Sequence, residues 1–185
     1  MALTPSKMIP LGSRAPEFRL LDTLTDQWVD LSDSRSDKAT VIMFLCNHCP
    51  YVKHIREELV RISNEYIKRG VSFVAISSND IEQYPEDSPQ KMKEEAQTWK
   101  YPFPYLFDET QAVAKAYDAA CTPDFYVYDK NLELAYRGQL DDSRPGNGKE
   151  ITGKDIREAL DCILSGNPVS EVQIPSAGCN IKWIV

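Results

Sequence analysis

The 185 residues are enough for about one domain with a substantial core, without metal or disulfide staples. Hydrophobic residues make up 42% and charged ones 26%, with no low-complexity tract or repeat, which excludes disorder and solenoids. The formal net charge of −7 argues against a general nucleic-acid or anionic-membrane binder, both of which want basic surface. Residues 1–10 lack the continuous apolar core of a secretory signal, and no later run approaches a membrane span, so a cytoplasmic protein is expected. Five cysteines are an odd number in a compartment that keeps thiols reduced, and a fixed disulfide framework is not expected.

In chain order, Phe18 to Leu21 and Gln27 to Leu31 flank a polar connection and read as an N-terminal β-hairpin. The apolar run Val41-Ile42-Met43-Phe44-Leu45 reads as a buried strand. Val52, Ile55, Leu59, Ile62 and Tyr66 then follow helical spacing, with Pro50 suited to the first turn and Gly70 marking the end. Val71 to Ile76 is a second buried strand, so strand, helix and strand form a parallel pair.

Ser88-Pro89 with Met92, Ala96 and Trp99 predicts a capped helix. Tyr101 to Phe107 contains two prolines that bias their predecessors away from the α region, so it is extended, with Tyr101, Phe103 and Tyr105 in core and edge positions. Asp108 is placed to cap a short helix through Val113, Ala116 and Tyr117. Phe125 to Tyr128 and Leu134 to Arg137 surround Asp129-Lys130-Asn131, an antiparallel hairpin signal. Thr152 starts a final helix carrying Ile156, Leu160, Ile163 and Leu164, ended by Gly166. This order predicts an α/β fold, a mixed sheet with helices on both faces and a helical insertion, in a single domain over residues 1–185.

The chemistry concentrates in Cys46-Asn47-His48-Cys49-Pro50, where a strand delivers two thiols to a helix N-terminus. Unpaired N–H groups and the helix dipole favour an anion there, so whichever sulfur sits over the terminus is stabilised as thiolate, the nucleophile of disulfide exchange. His48 adds positive charge beside the pair. Cys46, nearer the strand end and expected to be the more exposed, is assigned as the attacking sulfur and Cys49 as the resolving one. The alternative is half of a zinc site, but none of Cys121, Cys162 or Cys179 supplies a second closely spaced pair. No metal is therefore expected. No phosphate loop or dinucleotide fingerprint is present, and no cofactor is expected either.

Cys46-Asn47-His48-Cys49 after the first core strand and Thr122-Pro123 before the third resemble the thioredoxin fold. The resemblance implies that Pro123 is cis, faces the cysteines, and leaves the Thr122 backbone where a substrate chain adds as a short strand. Residues 10–18, 46–52, 120–125, 136–142 and 178–183 narrow the match to a peroxiredoxin-like redoxin subgroup related to alkyl hydroperoxide reductase and TlpA-like proteins. Two departures stand out. Met43 takes the place of the peroxiredoxin threonine before Cys46, and Cys46 itself takes that place before Cys49. Thr40 stands where thioredoxin keeps a buried proton-accepting aspartate. The histidine between the cysteines implies a more oxidising pair than thioredoxin's.

The expected function is thiol–disulfide exchange on a protein or small-molecule disulfide, with an external thiol reductant. A thiol peroxidase and a redox-regulated or zinc-holding binding protein are the rivals. Cys121 and Cys179 are candidate additional redox thiols or buried small residues, the latter near a tail anchored by Trp183, Ile184 and Val185. Cys162 reads as core and His54 as a packed or exposed residue. Asp141-Asp142 with Arg144 read as a solvated turn before a cation site.

Overall fold

A computed structural model describes residues 3–185. Among these residues ten strands are present: β1 (Leu3–Pro5), β2 (Arg19–Asp22), β3 (Trp28–Asp30), β4 (Ala39–Phe44), β5 (Val71–Ser77), β6 (Tyr105–Phe107), β7 (Cys121–Thr122), β8 (Asp124–Asp129), β9 (Leu134–Gly138) and β10 (Ala177–Asn180). The five helices are α1 (Leu31–Ser34), α2 (Pro50–Ile67), α3 (Pro89–Trp99), α4 (Ala112–Ala116) and α5 (Lys154–Ser165), with a 3-10 turn at Pro85–Asp87.

The main sheet runs β3-β2-β6-β5-β4-β8-β9, with β4 in its interior, parallel to β5 and antiparallel to β8. Because side chains alternate along a strand, β4 feeds two cores. Val41 and Met43 join Phe73, Phe125 and Val127 beneath α2, α3 and α5, whereas Ile42 and Phe44 pack with Val74, Tyr126 and Tyr117 on the α1 and α4 side. The expected mixed sheet with helices on both faces is present, with the N-terminal hairpin β2–β3 at its edge.

The predicted face of α2, Val52, Ile55, Leu59, Ile62 and Tyr66, is buried. At roughly 1.5–3 kcal/mol for each large apolar side chain, that stripe contributes far more than helix propensity. Ser88 is the N-cap of α3 with Pro89 at its first position. Gln111, not Asp108, is the backbone cap of α4, yet Asp108 accepts the N–H groups of Val113 and Ala114 at 3.3 and 2.9 Å and satisfies its first turn. Likewise Gly153, not Thr152, caps α5. Only Tyr105–Phe107 of the extended 101–107 segment is strand.

A second sheet, β1-β10-β7, was not foreseen. It brings the two chain ends together, with Cys179 opposite both Leu3 and Thr122. The tail is fixed differently from the expected anchor: Ile184 and Val185 are exposed, while Ile181 and Lys182 are buried. Gln111 does the anchoring, donating to the carbonyls of Ser78 and Lys182 and accepting the N–H of Ile184.

Candidate active site

The C-terminal end of β4, the start of α2, the Thr122-Pro123 turn and β10 converge on three sulfurs. Cys49 is the N-cap residue of α2 and Pro50 opens the helix. The Thr122-Pro123 peptide is cis. Thr122 touches both motif cysteines, its Oγ1 lying 3.2 Å from Cys46 Sγ and its carbonyl oxygen 3.3 Å from Cys49 Sγ. From the other side Cys49 Sγ meets Cys179 Sγ at 2.8 Å. All five cysteines are thiols. The expected difference in exposure is absent, since Cys46 is 1%, Cys49 0% and Cys179 2% exposed.

Equal burial conceals opposite electrostatics. A hydrogen bond from Cys46 is the largest influence on Cys49 and outweighs its burial; Cys179 and the backbone N–H of Val52 at the helix start add to it, lowering Cys49 to about 5. Of its neighbours, the Thr122 carbonyl is the one that prefers the protonated thiol. Burial pushes Cys46 up, and donation to Cys49 together with the Asp87 charge push the same way. Cys179 is likewise pushed up to about 12, by burial and by its hydrogen bond to Cys49. The pull toward the anionic form is therefore strongest at Cys49, the sulfur over the helix terminus.

His48 lies beside Asp87, its Nδ1 2.6 Å from Oδ2, and stacks on Tyr84 with ring centroids 5.0 Å apart. Asp87 is fully buried and also accepts the N–H groups of Asn47 and His48 and the Asn79 side-chain amide. Burial pushes its carboxyl up, but the bonds from His48 and Asn79 prevail and hold it below its usual value. An ionised Asp87 makes Nδ1 the donor in that contact. Tyr105 donates to Asn47 Oδ1 at 3.0 Å, so this core aromatic also fixes the motif loop. Thr40 is taken up elsewhere, accepting the N–H of Ser36.

Cys46, His48 and Asp87 place one ligand atom each within 4.8 Å of one another. Four donors already occupy the two oxygens of Asp87, which leaves that carboxylate poorly disposed to hold a metal.

The remaining candidates separate clearly. Cys121 is buried, its sulfur directed to Pro123 O at 3.7 Å, and burial with the nearby Asp124 charge raises it strongly. Cys162 is only partly buried and lines a surface cavity of about 140 Å³ beside residues 169–174, so it is not core. His54 is partly buried beside Tyr51 and Pro123. Asp141 is no solvated turn: it is buried and accepts the N–H groups of Thr152 and Gly153 at 2.7 Å each, fixing the backbone that leads into α5, while Asp142 pairs with Lys149. Sequence reasoning missed Asp87, Asn79 and Tyr84, which lie in an insertion without hydrophobic period; two flanking prolines were the only local mark of Asp87.

No helix among the described residues is long and apolar enough to cross a membrane. An uncharacterized conserved protein from Geobacillus kaustophilus is 62% identical, with this chain covered over 100% and that one over 97%, at a TM-score of 0.98. A hypothetical protein from Sinorhizobium meliloti 1021 is 46% identical over 98% of this chain and 99% of that one, at 0.96. A thiol:disulfide interchange protein of the thioredoxin family from Chlorobium tepidum TLS shares the fold at 16% identity, over 83% of this chain and 97% of that one, at 0.63. No curated protein matches the chain. The sequence pattern of the AhpC/TSA family matches residues 11–137, well over half of the length, and this chain belongs to that family.

Proposed function

We propose that the protein is a thiol–disulfide oxidoreductase in which Cys49 and Cys46 cycle between dithiol and disulfide. Family membership and the thioredoxin-like fold support redox chemistry in general. The observation that carries the finer reading is the sulfur pair itself: Cys49 caps the α2 N-terminus, and Thr122 contacts the sulfurs of both Cys46 and Cys49. Cys49 attacks a substrate disulfide and one substrate sulfur leaves as thiolate. Cys46 then attacks the mixed disulfide, closing Cys46–Cys49 and releasing the second substrate thiol. This reverses the order expected from the sequence, because the anion-stabilising groups surround Cys49.

Thr122, joined to Pro123 by a cis peptide, contacts both sulfurs. The proton released by Cys46 has an acceptor pair nearby in His48 and Asp87, filling the role that Thr40 does not. An external thiol reductant restores the dithiol, and the 185 residues work as one domain in a reducing compartment such as the cytoplasm. With Cys46 and Cys179 both changed to Ser, mixed disulfides should accumulate on Cys49; if instead Cys49→Ser traps partners on Cys46, the proposed order is wrong.

One observation favours a second reading, thiol peroxidase. Sulfurs at most 2% exposed admit a peroxide more readily than a bulky disulfide. Cys49 thiolate would take one oxygen to become a sulfenic acid, releasing water or an alcohol, and Cys46 would condense with it, expelling water. Peroxide consumption lost in Cys49→Ser would support this reading, and none in the wild type would remove it.

A further inference from the structure

Cys179 lies 130 residues from Cys49 in sequence, yet their sulfurs are 2.8 Å apart, less than about 1 Å beyond a disulfide bond of roughly 2.05 Å. The approach is built into the fold. β10 pairs with β1 on one side and β7 on the other, so Cys179 faces Thr122 in register. Gly178 permits this closeness, since a Cβ there would lie 2.0 Å from the Thr122 carbonyl oxygen.

The flanks of β10 are tied to the same site. Ser176 Oγ donates to Pro123 O at 2.6 Å, and Ile181 N–H donates to Ala120 O. Lys182 N–H donates to the Asn79 side-chain oxygen, whose amide in turn donates to Asp87. Thr122 is thus the common neighbour of three sulfurs: a contact of Cys46 and Cys49 and the strand partner of Cys179. Cys121, the other buried candidate, directs its sulfur to its own turn and lacks such a contact.

We propose that Cys179 is a third redox-active cysteine, which closes a disulfide with Cys49 in exchange with the Cys46–Cys49 bond. This deepens the proposed exchange reaction and rests on it. When Cys49 carries a substrate sulfur, the Cys179 sulfur attacks Cys49 Sγ; the Cys49–Cys179 bond forms, the bond to substrate breaks, and the Cys179 proton leaves with the substrate thiol. Cys46 next attacks Cys49, forming Cys46–Cys49, and the proton of the Cys46 thiol passes to the departing Cys179 sulfur. Two electrons pass to the substrate disulfide overall, and no other oxidant enters. In the Cys49–Cys179 state the C-terminal strand is covalently joined to the start of α2.

The test treats reduced Cys46→Ser and the double variants Cys46→Ser/Cys179→Ser and Cys46→Ser/Cys179→Ala with one equivalent of glutathione disulfide. Alkylation and peptide mass mapping follow, with near-UV circular dichroism confirming the fold of each. Cys46→Ser should yield linked Cys49 and Cys179 peptides, and its glutathione adduct on Cys49 should decay at least about tenfold faster than in the double variants, as an intramolecular thiol requires. Equal, persistent adducts in all three folded variants would overturn the role of Cys179 and leave the exchange reaction standing. No adduct on Cys49 in the folded double variants would overturn the exchange reading, and this proposal with it.

Discussion

Cys46 and Cys49 are three residues apart, equally buried and in contact with the same threonine, yet their environments oppose each other. Around Cys49 are donors: the Cys46 and Cys179 thiols and the first-turn N–H of Val52. Around Cys46 are a buried carboxylate, Asp87, and the Cys49 sulfur, both of which oppose a charge on it. Burial alone would raise both sulfurs; the sign of the difference is set first by the hydrogen bond Cys49 receives from Cys46, with the Cys179 thiol and the helix-start N–H of Val52 adding to it. Two coupled thiols then release protons in widely separated steps that belong to the pair as a whole.

The largest expected effect comes from deleting the anion. Cys49→Ser should reduce exchange with glutathione disulfide to background and remove thiolate absorbance at neutral pH; retention of either would make Cys46 the nucleophile. Next is Asp87, whose loss strands two backbone N–H groups and two side-chain donors. Asp87→Ala should cost at least about 2 kcal/mol in urea unfolding. It should also lower the pH at which Cys46 titrates, since its charge opposes that thiolate.

Gly178→Ala should destabilise by about 1–3 kcal/mol, because the added methyl would press on the Thr122 backbone. It should also make Cys49 react faster with iodoacetamide as β10 is displaced; unchanged stability and reactivity would mean that β10 does not press on the site. The smallest effect belongs to Cys179→Ser. A hydroxyl still donates, but from a shorter side chain, so the Cys49 midpoint should rise by about one pH unit or less.

Legibility in the sequence divides along similar lines. β4, α2 and the β8–β9 hairpin were readable because each carries its own period: a continuous apolar run, a three-then-four stripe, two β-rich runs about a polar turn. The cysteine motif and Thr122-Pro123 were readable as local strings. β1 and β10, Leu-Thr-Pro and Ala-Gly-Cys-Asn, have too few residues to show alternation and form only because each finds the other across the whole chain. The same reason hid the Cys49–Cys179 contact, and the four-donor shell of Asp87 is assembled from separate segments. Proximity to the strand end points to Cys46 as the attacking sulfur in the sequence, whereas the structure makes Cys49 the helix cap, which is why the proposed order differs.

The most direct test is a pH titration of thiolate absorbance in the reduced protein, run beside the rate of exchange with glutathione disulfide and repeated on Cys49→Ser. With Cys49 lowered to about 5, absorbance should rise with a midpoint near that pH. The exchange rate should be level from about pH 7 to 9 and fall about tenfold per pH unit on the acid side, because only the thiolate attacks. Neither signal should survive in Cys49→Ser. A midpoint near 8.5, or a low midpoint that persists in Cys49→Ser and disappears in Cys46→Ser, would contradict the assignment of the thiolate to Cys49.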